Sequence, residues 1–153
     1  MTDIIENKLE DELLNAARAK NIKRFVVGAI TFDEDQVLML QRPDNDFMGG
    51  YLELPSGQVE NDESLSQALL REVKEETNQV VQDVVGYVDH FDYESGSGST
   101  TRQWTFVIST NDVPIRLSEH ISYAWVDIER LDSYKISPET VRLIQKASEI
   151  GYV

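Results

Sequence analysis

The sequence predicts an α+β fold in which a β-sheet lies between layers of helices. Two patterns lead to this prediction: segments rich in β-branched and aromatic residues recur along the chain, and three other segments repeat apolar residues with helical spacing. Strands interspersed with helices in this way are typical of a sheet covered by helices. The chain of 153 residues suits a single domain. We expect that domain to span residues 23–153, after an N-terminal helical extension over residues 1–22.

Helices are predicted at three places. The first spans residues 3–20, where Ile5, Leu9 and Leu13 recur at every fourth position. The second begins after the capping-box residues Ser64 and Gln67 and ends at Asn78, which suits the left-handed conformation of a helix stop. The third spans residues 138–150.

The predicted strands lie between these helices. Residues rich in strand formers occupy positions 24–32, 37–40, 51–54, 80–93, 101–109 and 123–127. The sequence Pro55-Ser56-Gly57 is predicted to turn the chain before the second helix. The Gly/Ser segment over residues 94–101 is predicted to be a mobile hairpin tip.

The composition excludes several classes of protein. A formal net charge of −14 argues against a nucleic-acid-binding surface and against docking on anionic membranes. The chain has no cysteine, which excludes disulfides, thiolate zinc sites and cysteine nucleophiles. It shows no signal peptide and no apolar run near the ~20 residues of a membrane span. We therefore expect a cytoplasmic protein, monomer or homodimer, with a small-molecule partner.

The second helix carries an unusual concentration of acids. Glu72, Glu75 and Glu76 share one face, because residues three and four apart on a helix are neighbours. Each like-charge pair costs roughly 0.2–0.5 kcal/mol even when exposed. A bound cation would remove that cost, and carboxylate oxygens suit Mg²⁺ or Mn²⁺. For this helix alone, a solvated acidic face is the alternative interpretation.

The spacing of residues upstream of the acids favours the cation site. Gly57 is followed after five residues by Glu63, and after seven more by Arg71-Glu72-Val73-Lys74-Glu75-Glu76. This pattern resembles the Nudix box, Gly-x5-Glu-x7-Arg-Glu-U-x-Glu-Glu-x-Gly-U, in which U is a bulky apolar residue. Six charged or glycine positions match at fixed offsets. From about Phe25 to Lys146 the order of elements is similar to that of MutT-like Nudix hydrolases.

The match departs from the box at its end. Asn78 replaces the last glycine, and Gln79 replaces the final apolar residue. Because asparagine tolerates the left-handed conformation, we expect the turn to survive. Ser56 also stands where many members have a second glycine.

The resemblance implies an α/β/α sandwich with a mixed β-sheet and a metal-dependent attack of water on a pyrophosphate linkage. Carried over by position, Glu72, Glu75 and Glu76 would bind the divalent metal. Gly57 would shape the loop and could offer its backbone carbonyl to the same ion.

The resemblance also assigns catalytic roles. Arg71 and Glu63 would orient the acids and brace the loop. Glu119 lies six residues before Trp125, where MutT-like enzymes carry a further acidic residue. Either Glu119 or Glu76 would act as the general base, and Glu119 could alternatively be an extra metal ligand.

Four residues are candidates for binding the substrate. Arg42 ends the second strand, where MutT-like enzymes place an arginine facing the purine. Glu53 and Leu54 lie just before the box, and Thr140 falls where the guanine-specific MutT enzyme has an asparagine. A threonine offers one hydroxyl instead of a donor and an acceptor, which puts 8-oxoguanine selectivity in doubt. Tyr51 and Phe47 are further candidates for the pocket wall. For Leu54, Tyr51 and Phe47, packing in the core is the alternative interpretation.

The implied function is Mg²⁺-dependent hydrolysis of a nucleoside triphosphate, including an oxidised dNTP, to a monophosphate and pyrophosphate. ADP-ribose, a nucleotide sugar and a dinucleoside polyphosphate are alternative substrates. A non-catalytic nucleotide-binding sensor is the alternative of another class, although such domains commonly lose box acids that are all present here. The two histidines, His90 and His120, are interpreted as packing or surface residues.

Overall fold

The computed structural model describes residues 4–45, 48–96 and 98–152. Its helices are α1 (Asn7–Ala19), α2 (Leu65–Thr77) and α3 (Pro138–Ile150), with a short 3-10 helix at Ile128–Ser133. Its strands are β1 (Arg24–Asp33), β2 (Gln36–Gln41), β3 (Leu52–Glu53), β4 (Ser56–Gln58), β5 (Val81–Glu94), β6 (Thr100–Thr110) and β7 (Ser122–Asp127). Among the described residues, no helix combines the length and the apolar character needed to cross a membrane.

The strands form a mixed sheet. Within the described residues seven strands join, in the order β3-β2-β1-β6-β5, with β4 also pairing β1 and β7 also pairing β2. Strands β1 and β6 run parallel over a long register, from Arg24 opposite Thr101 to Thr31 opposite Ile108. The neighbouring pairs are antiparallel. The predicted α+β class is therefore confirmed.

Helices cover both faces of the sheet. On one face, Leu69 and Val73 of α2 pack with Trp104 of β6, in a core that also holds Ala17 of α1. On the other face, Ile144 of α3 belongs to a second core. The alternation of side chains along β6 supplies both cores, since successive strand residues point to opposite faces. The sheet lies between helical layers, as the sequence predicts.

Helix α1 packs on the core that α2 covers. The N–H of Ile5 donates to Ser66 Oγ at 3.0 Å, and the N–H of Leu65 donates to Glu10 Oε2 at 3.2 Å. Both bonds satisfy backbone donors that lie outside regular hydrogen bonding, at the chain before α1 and at the start of α2. The division of the chain at residue 22 remains a prediction.

The turn predicted at Ser56 and Gly57 was wrong. Ser56 and Gly57 do not turn the chain but form β4, where they pair antiparallel with Gly28 and Val27 of β1. Local sequence favours a turn there, yet the unpaired edge of β1 offers hydrogen bonds that outweigh this preference. This pairing sets the position of the loop that faces the acids of α2.

The ends of α2 follow the sequence closely. The Ser64 hydroxyl accepts from the Gln67 N–H, and the Gln67 side chain accepts from the Ser64 N–H, which completes the predicted capping box. Asn78 adopts the left-handed conformation at φ 70° and ψ 0°. The hairpin tip between β5 and β6 includes Ser97, which lies outside the described residues, and its predicted mobility stays a prediction.

Candidate active site

Arg71 is the centre of an ion-pair network at the acidic end of α2. Its Nε and one terminal nitrogen donate to the two carboxylate oxygens of Glu63, at 2.6 and 2.9 Å. The other terminal nitrogen donates to Glu72 at 2.7 Å and to Glu75 at 2.8 Å. A further bond of 3.0 Å reaches the Gln58 carbonyl. One arginine thus connects the loop before α2, strand β4 and two acids of the helix.

This network changes the acidity of its members. The Arg71 guanidinium holds the pKa of Glu63 below its usual value, although burial opposes the shift. For Glu72 burial dominates and raises the pKa, against the effect of Arg71. Arg71 stays charged, since its pKa is raised chiefly by the hydrogen bond to Glu63. The network therefore carries a permanent positive charge among carboxylates of unequal acidity.

Gly57 allows α2 to approach β4 closely. A Cβ built on Gly57 would overlap the carboxylate of Glu72. The glycine is required here by space, because its backbone faces a charged side chain that is only 15 % exposed. This places the Glu72 carboxylate directly against the backbone of β4.

Glu76 is the most perturbed acid of the site. Burial raises the pKa of Glu76 to about 8, and the nearby charges of Glu72 and Glu53 add to the effect. The Ser56 N–H, which donates to Glu76 Oε1 at 2.9 Å, and the His120 side chain oppose it. A carboxyl group with such a pKa is suited to accept a proton near neutral pH.

A cavity of about 340 Å³ opens beside Glu76, and we call it the acidic cavity. It is lined by Arg42, Pro43, Glu53, Ser56, Glu76, Glu119 and His120. Glu119 is exposed on its rim. The structure therefore brings two of the predicted catalytic carboxylates, Glu76 and Glu119, to one cavity.

Glu53 is held from two sides in this cavity. Its Oε1 accepts from Arg42 at 3.1 Å, and its Oε2 lies 2.6 Å from His120 Nε2. The His120 side chain is 7 % exposed. Burial lowers the pKa of His120, but the hydrogen bond to Glu53 and the charge of Glu76 outweigh it, so the pKa is raised overall. Sequence reasoning missed this contact, and the only signal was the position of His120 next to Glu119.

A second cavity of about 340 Å³, the aromatic cavity, adjoins the first. Its walls include Tyr51, Phe91, Tyr93 and Gln103, with the N-terminus of α3 on one side. The four predicted substrate-binding residues, Arg42, Glu53, Leu54 and Thr140, all line it. Phe47, the further candidate for this wall, lies outside the described residues. The two cavities share Arg42, Glu53 and Ser56 in their walls, so they lie side by side.

The acidic face of α2 fits a divalent cation. In the described part of the chain, Arg71 binds one oxygen each of Glu72 and Glu75, and no hydrogen-bond donor reaches the other oxygen. Carboxylate oxygens are the donors that Mg²⁺ and Mn²⁺ prefer. Across the described ranges, no three histidine or acidic side chains already converge on one point. Metal binding by Glu72, Glu75 and Glu76 remains a prediction. The oxygens of Glu72 and Glu75 that Arg71 does not bind are consistent with it.

The chain is similar to one known protein family and to several named enzymes. The family model of the NUDIX domain matches residues 22–147. A CTP pyrophosphohydrolase of Escherichia coli K12 is 28% identical over 120 residues, which cover 78% of this chain and 87% of that protein. A dihydroneopterin triphosphate diphosphatase of the same strain is 32% identical over 109 residues, covering 62% and 71%. An 8-oxo-dGTP diphosphatase of Proteus vulgaris is 45% identical over 49 residues, covering 32% and 44%.

Solved structures share the fold. The solution structure of the E. coli ORF135 protein superposes with a TM-score of 0.73 at 28% identity, covering 86% of this chain and 93% of that one. The crystal structure of a MutT NUDIX hydrolase from Burkholderia pseudomallei has a TM-score of 0.70 at 19% identity, covering 80% and 96%. The NUDIX domain of Shewanella oneidensis NrtR, solved with ADP ribose, has a TM-score of 0.68 at 22% identity, covering 92% and 97%.

Proposed function

Since this chain belongs to the NUDIX domain family, we propose that it is a nucleotide pyrophosphohydrolase that cleaves a nucleoside triphosphate to a nucleoside monophosphate and pyrophosphate. The reaction depends on Mg²⁺ or Mn²⁺. The enzyme works in the cytoplasm on a small-molecule nucleotide, without nucleic acid or membrane, as a monomer or homodimer.

The observation that carries this proposal is that the two cavities lie side by side and share three wall residues. The aromatic cavity offers flat apolar walls for a base, and the acidic cavity lies at the end of the helix that bears the box acids. Arg42 lines both, so a nucleotide would extend from one to the other past its guanidinium. The three similar enzymes support a triphosphate substrate, because their names refer to CTP, 8-oxo-dGTP and dihydroneopterin triphosphate.

Glu72, Glu75 and Glu76 would hold the cation, together with the backbone carbonyl of Gly57. When bound, the cation would neutralise phosphate charge and favour ionisation of water at the site. Gly57 keeps the space beside the Glu72 carboxylate free of side chains. The unshared oxygens of Glu72 and Glu75 are available for this role.

The remaining residues position the chemistry. Arg71 and Glu63 fix the loop against α2 through their bidentate pair. Either Glu76 or Glu119 accepts the proton of the attacking water, and both line the acidic cavity. The raised pKa of Glu76 suits it to that task.

The test is a substrate panel. Purified protein would be incubated with normal and oxidised dNTPs, CTP, ADP-ribose, a nucleotide sugar and a dinucleoside tetraphosphate, with Mg²⁺ or with EDTA. We expect triphosphates to yield a monophosphate and pyrophosphate only with the cation. If ADP-ribose or the nucleotide sugar were cleaved in preference to the triphosphates, that compound would indicate the substrate class, and the protein would remain a hydrolase of the same family. Tight nucleotide binding without cleavage of any panel member would favour the alternative, a non-catalytic nucleotide-binding sensor.

A further inference from the structure

Gln103 lies at the floor of the aromatic cavity, on the face of the sheet that α3 covers. It stands on β6, opposite Phe91 of the antiparallel neighbour β5. Side chains two residues apart on a strand share a face, so Gln103 and Thr105 point the same way. Val107 continues that face and packs in the α3-side core. At Gln103 the apolar core gives way to the cavity, with a polar amide in its wall.

The amide of Gln103 is only partly satisfied within the protein. Its Nε2 donates to Thr105 Oγ1 at 3.3 Å. Over the described residues this is the only hydrogen bond of the side chain. A primary amide has two donor hydrogens and two acceptor lone pairs. Whichever way the amide is turned, it therefore keeps a donor and an acceptor for a molecule in the cavity.

Gly28 makes room for this amide. It stands on β1 opposite Thr105, and a Cβ built on Gly28 would lie 2.7 Å from Gln103 Nε2. Any larger residue would push the amide from its place. The small residue and the amide thus form one structural unit at the cavity floor.

We propose that Gln103 reads the hydrogen-bonding edge of the substrate's base, as the residue that determines base specificity. This inference rests on the proposed function. The base would stack against the wall formed by Phe91 and Tyr93, whose ring centroids are 5.7 Å apart. Its edge would meet the free donor and acceptor of Gln103, a pairing in which an amide binds a base with two hydrogen bonds. Edges that offer a donor beside an acceptor match this group.

The experiment changes the pattern of donors and acceptors. Gln103→Glu keeps the size of the side chain but replaces the donor with a second acceptor. Such a carboxylate matches the adjacent N1–H and N2–H₂ donors of guanine and opposes the ring acceptor of cytosine. Gln103→Leu removes both bonds. The matched control is Gln145→Leu, at an exposed position of α3. kcat and KM would be measured for dGTP and dCTP, together with the Kd of GMP and CMP.

We expect Gln103→Glu to shift the dGTP/dCTP ratio of kcat/KM toward guanine by roughly tenfold, the size of one to two hydrogen bonds. Gln103→Leu should raise KM more than it lowers kcat and should reduce base discrimination. Gly28→Ala provides a second route, because it displaces the amide without removing it, and we expect it to weaken discrimination too. Gln145→Leu should behave as wild type.

The result that would overturn the inference is metal-dependent hydrolysis with unchanged base ratios in both Gln103 variants. If a Gln103 variant does not fold, Gly28→Ala with unchanged ratios overturns it as well. Failure of the proposed function would look different, since wild type would then cleave no triphosphate. The monophosphate Kd values would still report whether Gln103 reads a base in that case.

Discussion

The backbone N–H of Ser56 donates to Oε1 of Glu76 at 2.9 Å. This bond joins β4, on which the glycine of the box lies, to the helix that carries the box acids. Because β4 pairs with β1, the position of Glu76 is tied to the register of the central sheet. The acidic cavity is therefore built on rigid elements, as a catalytic site requires.

Gly57→Ala tests the close approach of β4 to α2. The new methyl group would overlap the Glu72 carboxylate and displace it. We expect kcat to fall on the order of 100-fold, the cost of misplacing a catalytic group by about 1 Å. Circular dichroism would check the fold. Gly96→Ala is the control, because a Cβ at Gly96 meets nothing within 4 Å; an equal loss in that variant would sink the argument.

Arg71→Lys tests whether the fork of the guanidinium is needed. Lysine keeps the charge but cannot bind both oxygens of Glu63 while also reaching Glu72 and Glu75. We expect urea unfolding to show a loss of roughly 2 kcal/mol, together with lower turnover. Wild-type stability and turnover in Arg71→Lys would show that charge alone suffices.

Asn78→Gly tests the departure from the box at the end of α2. Asn78 has φ 70°, a conformation that glycine adopts without steric cost. We expect the glycine variant to match or exceed wild-type stability by a few tenths of a kcal/mol, and Asn78→Ala to lose about 1 kcal/mol. Thermal unfolding measures both. A stability order with alanine above glycine would contradict the geometry.

Asp89 makes stability depend on acid pH. Burial raises the pKa of Asp89, but Lys146, the His90 N–H and Arg142 outweigh it and lower the pKa to about 2. A depressed folded-state pKa stabilises the fold above the ordinary value of 3.8, and the benefit is lost as pH falls toward 2. We expect Asp89→Asn to lose roughly 1 kcal/mol at pH 7 and to approach wild type near pH 2. Asp83→Asn, at an exposed position of β5, is the control; a deficit independent of pH would refute the assignment.

Local patterns predicted the parts of the fold that local interactions determine. The capping box at Ser64 and the left-handed Asn78 depend on neighbours within four residues, and both follow from the sequence. Helix α3 begins at Pro138 and ends at Ile150 as expected. Strand β4 could not be predicted, because Ser56 and Gly57 are ordered by a partner strand nearly thirty residues away.

The candidate site also has some contacts that local sequence predicts and others that only the fold creates. Arg71, Glu72, Glu75 and Glu76 lie at fixed offsets on one helix, so their proximity follows from helical geometry. The contact of His120 with Glu53 joins residues 67 positions apart. The place of Gln103 at the cavity floor depends on Gly28, on another strand. No local pattern records such pairings, and only the folded sheet brings them together.

The most direct test of the acidic site compares Glu76→Gln with the control Glu12→Gln, at an exposed position of α1. Two quantities would be measured for both variants and for wild type. They are the rate of hydrolysis of the best triphosphate and the affinity for Mn²⁺, the latter by electron paramagnetic resonance. We predict that Glu76→Gln loses turnover by roughly 100-fold or more and weakens Mn²⁺ binding, while Glu12→Gln matches wild type. Wild-type turnover and Mn²⁺ affinity in Glu76→Gln would contradict the account, because the reaction would then take place elsewhere.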